Sequence, residues 1–220
     1  MTAPFADGPA MLDWLRTRRS VRNFAADPVD RAVLERLIEA ARTAPSSSNR
    51  QPWRFAVVTS ASARQAIIEA IRIRVAEIET VIRRGHHADD YGNYGDFFFE
   101  PLANAPVIVV PQFRDYPDLI GNLIESGGGD RSQFSTAAAM HAERCSTSAA
   151  VMALLLQAHA EGLGACWMAG PMVARHDIER QLRIARPFQM VGAIAVGHLQ
   201  QAPAAPPRKS VEQIAQWFQD

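Results

Sequence analysis

The chain has 220 residues, 48% of them hydrophobic and 21% charged, which fits one globular domain with a sizeable core and excludes a disordered chain. Its 23 basic and 23 acidic residues cancel to a formal charge of +0, so a general affinity for nucleic acid or a membrane surface has no electrostatic support. Two cysteines, Cys145 and Cys166, are too few for a disulfide framework, and their apolar surroundings read as buried structural thiols.

The first residues carry no basic or apolar signal-peptide region, and the longest apolar run, 149–156, is far short of the ~20 residues a bilayer span needs. The expectation is a cytoplasmic protein. Residues 9–18 read as a helix with Met11, Leu12, Trp14 and Leu15 as its apolar face. A basic knot follows, with Arg16, Arg18, Arg19 and Arg22 close together. Pro28 breaks the chain and Asp30 offers a cap for a helix over 31–43, where Leu34, Leu37, Ile38 and Ala41 form one stripe. Pro45 ends it and opens a polar loop, PSSSNRQP. Residues 53–59 read as a strand. Residues 62–84 read as a long helix closed by Gly85.

Residues 85–99 mix glycines with aromatics and show no period, as a loop covering a pocket would. Residues 106–113 (PVIVVPQF) read as a central strand, and 114–133 as irregular. The longest helix is expected over 135–161, with 149–156 apolar all round and so buried on every side. Gly162 and Gly164 end it. A strand over 165–169, a helix over 174–182 and a fourth strand over 189–199 follow. Pro203, Pro206 and Pro207 keep the next segment extended. Ser210 and Gln213 form a capping box for a last helix reaching Phe218. Long helices with interspersed strands place the chain in the α+β or α/β class.

Arginine forks match phosphate oxygens, so Arg18, Arg19, Ser20 and Arg22 suit a phosphate group, although a solvated basic helix end uses the same residues. Ser46, Ser47, Ser48, Asn49 and Gln51 suit the edge of a heterocycle, and equally suit a plain helix-to-strand loop. Together the knot and the loop fit a molecule with a phosphate tail and a polar ring. His86, His87, Asp89 and Asp90 match no recognised ligand spacing, so no metal is expected. Gly162 and Gly164 lack the third glycine and the preceding strand of a dinucleotide fingerprint. There is no Walker A or G-x-S-x-G element. Tyr91, Tyr94, Phe97 and Phe113 could line an aromatic substrate pocket, and core packing explains Phe97 and Phe113 nearly as well.

Residues 18–24 (RRSVRNF), 41–58 (ARTAPSSSNRQPWRFAVV), 149–167 (AAVMALLLQAHAEGLGACW) and 206–209 (PPRK), in that order, resemble the flavin-dependent nitroreductase family. The resemblance implies one domain over 1–220, with an active-site lid insertion around 85–134. The implied fold is a three-layer α+β structure, its mixed, mainly antiparallel sheet flanked by helices, in an intertwined homodimer. It implies FMN at the subunit interface and NADH or NADPH as reductant. Arg18, Arg19 and Ser20 would hold the phosphate and ribityl chain, with Arg208 and Lys209 as further phosphate partners. Arg22 would sit by the pyrimidine edge in an electrostatic role. Pro45, Ser46, Ser47, Asn49 and Gln51 would come from the other subunit. Met168, Ala169 and Gly170 would pass the reactive flavin nitrogen, where better-known relatives carry an acidic residue before glycine. The flavin carries the chemistry, so no side chain is assigned as a catalytic acid. The expected activity is ping-pong reduction of a nitroaromatic, quinone or enone. The alternatives are a specialised member (a reductive dehalogenase, a dehydrogenase of a biosynthetic intermediate, or a deazaflavin-linked enzyme) and a flavin-binding protein without turnover.

Overall fold

In the computed structural model, residues 7–85 and 95–218 are described. Helix α1 (Gly8–Thr17) opens on Asp7, whose carboxylate accepts a hydrogen bond from Ala10 N–H at 2.8 Å. None of its residues is buried, so the expected apolar face of Met11 and Leu12 faces solvent within this chain. Helix α2 (Arg31–Arg42) buries Leu34, Leu37 and Ala41 as their spacing requires. Asp30 takes the N-cap position, but its carboxylate makes no capping bond. Strand β1 (Trp53–Val58) leads to the long helix α3 (Ala61–Ile82), whose N-cap Ser60 accepts from Ala63 N–H. Short α4 (Glu100–Asn104) precedes β2 (Val107–Arg114), buried along nearly its whole length.

Then come α5 (Leu119–Ser126), α6 (Ala142–Ala160), β3 (Leu163–Met168), α7 (Arg175–Gln181), β4 (Phe188–Met190), β5 (Ala193–His198) and α8 (Val211–Ile214). The sheet order is β1-β2-β5-β3, with β4 also on β2, and every named strand pair is antiparallel. A parallel bridge between Ser20 and Ala165 adds the mixed component. Side chains alternate across the sheet with period two. Val107 and Val109 join Ile194, Val196 and the α2 and α6 residues Leu37, Ala150 and Leu154 in one core. Ile108 and Val110 join Ala193, Ala195 and the α3 and α7 residues Ile67, Ile71 and Ile178 in the other. The result is the expected three-layer α+β fold. Each fully buried leucine or isoleucine contributes roughly 1.5–3 kcal/mol.

Five further expectations change. Residues 114–133 contain α5, capped by the Asp118 carboxylate on Gly121 N–H at 3.2 Å. The long helix starts at Ala142, not 135, because His141 adopts a left-handed φ of 52° that a helix cannot propagate through. The strand over 189–199 is broken into β4 and β5 at Val191 and Gly192. There Gly192 has φ +99°, and a Cβ would lie 2.6 Å from Met168 O. The last helix stops at Ile214, with Ala215 extended, although the capping box of Ser210 and Gln213 forms as read. Within 149–156, Met152 is 42% exposed, so α6 is not buried on all sides in this chain.

The span 85–134 includes the central strand β2, so only its flanks are available as a cover. Tyr91, Tyr94 and the cluster His86, His87, Asp89 and Asp90 lie outside the described residues. No described helix is long and apolar enough to cross a membrane, and no described cluster of His, Cys, Asp or Glu could hold a metal ion.

Candidate functional site

The basic knot is pinned to the edge of the sheet. Val21 N–H donates to Ala165 O at 3.1 Å, and Ala25 N–H to His198 O at 2.9 Å. This contact needs Gly164 near the start of β3, because a Cβ there would sit 2.7 Å from Val21 Cγ1. Gly164 therefore serves strand packing rather than ending a helix; Gly162, at φ +71°, follows the helix end.

Anchored this way, Arg18 and Arg19 share a cleft of about 510 Å³ with Arg16, Pro206 and Arg208. Burial lowers the Arg18 pKa first, and the charges of Arg208 and Arg19 lower it further. Among the described residues no carboxylate pairs with Arg18, Arg22 or Arg208. The chain thus converges unneutralised guanidiniums from two distant segments on one place, an arrangement that an anion relieves. Arg19 also donates to Arg16 O and Arg18 O, which fixes the turn. Ser20 and Arg22 are exposed beside it, and Lys209 is exposed next to Arg208.

Beneath this segment lies Cys166. Burial pushes its thiol pKa up, and the nearby charges of Arg22 and Arg18 oppose that push. Cys145, by contrast, is exposed, which corrects the expectation of two buried thiols. A smaller cavity of about 190 Å³ adjoins the knot, lined by Thr17, Arg18, Arg19 and His159 among others. His159 Nε2 lies 2.7 Å from Thr17 Oγ1. Burial and then Arg18 lower the His159 pKa, which keeps another cation away from the arginines.

The polar loop is elsewhere. Ser47 N–H donates to Ser146 Oγ at 3.2 Å and Arg50 pairs with Glu143 at 2.9 Å, both in the first turns of α6. The knot's small cavity touches Leu155 and His159 near the other end of α6. At about 1.5 Å per residue, Ser146 and His159 are roughly 20 Å apart along the axis. Arg18, Arg19 and Arg208 are therefore brought together, with Arg22 exposed further along the same segment, while Pro45, Ser46, Ser47, Asn49 and Gln51 gather at the opposite end of the same helix. Ser48, Asn49 and Gln51 all hold left-handed φ of 45–52°, and Gln51 Nε2 donates to Asn49 Oδ1 at 3.2 Å.

Met168, Ala169 and Gly170 lie at the end of β3. A Cβ on Gly170 would fall 2.3 Å from Phe98 Cδ1, so the missing side chain accommodates Phe98. Phe97 and Phe113 do not form one pocket wall. Phe97 is 58% exposed and stacks edge-on with Phe98, while Phe113 is buried under the Arg144 guanidinium.

Residues 15–198 match the sequence profile of the Nitroreductase family. The chain belongs to the nitroreductase family. A 5,6-dimethylbenzimidazole synthase from Rhodospirillum rubrum is 31% identical over 165 residues, covering 74% of this chain and 70% of that protein. An iodotyrosine dehalogenase 1 homolog from Caenorhabditis elegans is 28% identical over 212 residues, covering 93% of this chain and 60% of that protein. A BluB-like flavoprotein from Clostridium difficile 630 superposes with a TM-score of 0.85 at 23% identity, over 96% of this chain and 100% of that one.

For this nitroreductase-family oxidoreductase, sequence reading missed Gly164 and His159 as parts of the site region, and did not single out Arg144, which lies apart from the knot, over Phe113. Gly164 directly precedes the strand read over 165–169, and a glycine within a strand signals close backbone approach, so extending that strand by two residues would have marked it. His159 and Arg144 carry no comparable signal, because only the fold sets them beside the knot and Phe113.

Proposed function

We propose that the chain is an FMN-dependent oxidoreductase that takes hydride from NADH or NADPH and passes it to a small organic acceptor, such as a nitroaromatic, quinone or enone, in a ping-pong cycle. The observation that carries this reading is the convergence of Arg18, Arg19 and Arg208, with no carboxylate on Arg18 or Arg208 among the described residues, in one cleft at the sheet edge. That donor set fits a phosphate monoester, and family membership supports a flavin as its owner. Arg18, Arg19, Ser20, Arg208 and Lys209 hold the phosphate tail. Arg22 places a positive charge at the pyrimidine edge, and Met168, Ala169 and Gly170 present backbone to the reactive side. Bound FMN supplies the redox chemistry itself. The separation of the loop from the knot along α6 supports a homodimer in which Pro45, Ser46, Ser47, Asn49 and Gln51 complete the site of the partner subunit.

A second reading, a specialised reaction such as reductive dehalogenation or oxidation of a biosynthetic intermediate, is favoured by the names of the two relatives above.

The test is optical. Protein purified or supplemented with FMN is yellow, and its flavin band bleaches anaerobically with NADH or NADPH. A colourless protein that takes up no FMN overturns the proposal. A yellow protein that neither nucleotide reduces favours a deazaflavin donor or flavin binding without turnover. Losing a charge-assisted contact costs about 1.5–3 kcal/mol, so Arg18→Ala weakens FMN roughly ten- to hundredfold. Arg22→Ala weakens FMN or slows its reduction, and unchanged titration and kinetics would contradict its role. A turnover screen over nitroaromatics, quinones, enones and haloaromatics separates the first reading from the second.

A further inference from the structure

Beyond the end of β3 lies a cavity of about 320 Å³ that none of the assignments above uses as a whole. Its walls include Phe113, Trp167, Ala169, Met172 and Met190. Two arginines also line it, and they differ. Arg175 is committed: Nε donates to Glu179 Oε1 at 2.9 Å and Nη2 to Gln189 Oε1 at 2.6 Å. Arg144 has no carboxylate partner among the described residues, and its guanidinium carbon sits 5.1 Å from the centroid of the Phe113 ring. The indole N–H of Trp167 is spent on Val191 O at 3.1 Å, so that ring offers an apolar face only. Arg144 lies in the first turn of α6, where the N-cap residue His141 supplies no side-chain acceptor and the acidic residue of that turn, Glu143, is paired with Arg50 at 2.9 Å.

We propose that this cavity binds a small aromatic carboxylate, with its carboxylate on Arg144 and its ring among Phe113, Trp167, Met172 and Met190. The volume is at the low end for small-molecule sites, which suits one ring with a short acid arm. The apolar walls favour the ring, and a neutral isostere leaves the guanidinium unpaired. Ala169 joins the cavity to the 168–170 segment. If the flavin reading holds, the ligand is therefore the acceptor substrate or a product. Only that last step rests on the flavin reading; binding itself rests on the cavity.

Calorimetric titration of FMN-supplemented protein with phenylacetate and phenylacetamide tests the idea. Phenylacetate binds at least tenfold tighter than the amide. Arg144→Gln, an exposed position, loses that preference without losing bound flavin, and Arg144→Lys keeps part of it. Equal affinity for acid and amide, unchanged phenylacetate binding in Arg144→Gln, or release of FMN by phenylacetate each overturns the proposal, the last because the cavity would then belong to the flavin. If wild-type protein takes up no FMN, the flavin reading fails alone, and the same titration on flavin-free protein still decides the anion site.

Discussion

Gly164 shows how one residue can hold a site it does not line. Its missing side chain lets Val21 press onto β3, and Val21 fixes Arg18 to Arg22 relative to Arg208. Forcing a branched side chain into that space costs about 1–3 kcal/mol by overpacking. Gly164→Val is therefore expected to lower the denaturant midpoint. Because the knot must shift, it also weakens FMN by at least tenfold, although no flavin contact is removed. A variant with a lowered midpoint but wild-type FMN affinity would show that the knot does not depend on this contact. The cysteines differ at the same scale: Cys166 is sealed under the arginines and Cys145 is open, a distinction that apolar neighbours in sequence do not reveal.

Among elements, the 46–51 loop and the C-terminal end of α6 carry the main tensions. Ser48 holds a left-handed φ of 51° with no glycine to accommodate it. Ser48→Gly relieves that strain but adds freedom to the unfolded chain, so a net gain of about 0.5 kcal/mol is expected. A drop in melting temperature would mean that the Ser48 side chain makes a contact worth more than the strain.

At the other end of α6, Glu161 binds Arg36 of α2 through both oxygens, at 2.6 and 2.8 Å, and accepts from Gln157 at 2.9 Å. These bonds, Arg36 first, bring its pKa down from 4.5 to about 2. A carboxylate depressed in the folded state stabilises above its unfolded pKa and loses that contribution as pH falls through the folded one. Glu161→Gln should therefore melt lower than wild type at pH 7, with the gap closing between pH 4.5 and about 2. A gap that persists unchanged at pH 2 would assign the effect to packing rather than charge.

For the molecule as a whole, the organising fact is that α6 separates the two halves of the expected site by roughly 20 Å. A site that needs both halves needs two copies of the chain. The exposed Met152, with half-buried Ala149 and Leu156 about one turn to either side, gives α6 an apolar face that this chain leaves uncovered. Met152→Arg is expected to turn a dimer into a monomer in sedimentation velocity and to release the flavin at the same time. A wild-type monomer that retains FMN would sink the two-chain site.

How much was legible follows from how local each feature is. The apolar run of 107–110, read as a strand buried on both faces, and the stripe of Leu34, Leu37 and Ala41 are short-range statements about burial, and both elements formed where read. The Ser210 and Gln213 capping box is likewise local. The failures lie where a distant residue decides. Residues 135–141 are rich in alanine and read as helix, yet Thr136 Oγ1 donates to Asp118 Oδ2 at 2.7 Å and the chain turns there instead. α5 was hidden by its neighbouring glycines, although Asp118 and the spacing of Leu119, Ile120, Leu123 and Ile124 mark it.

The arginine knot, the polar loop and the family they belong to were present in the order of residues alone, because charge, hydrogen-bonding groups and motif spacing are written locally. Which arginines share a cleft, that Gly164 makes room for them, that the loop stands at the far end of α6, and that Arg144 is left over a phenylalanine ring were decided by the tertiary structure. Those relations join residues far apart in sequence, and only packing across the sheet and along one long helix sets the distances between them.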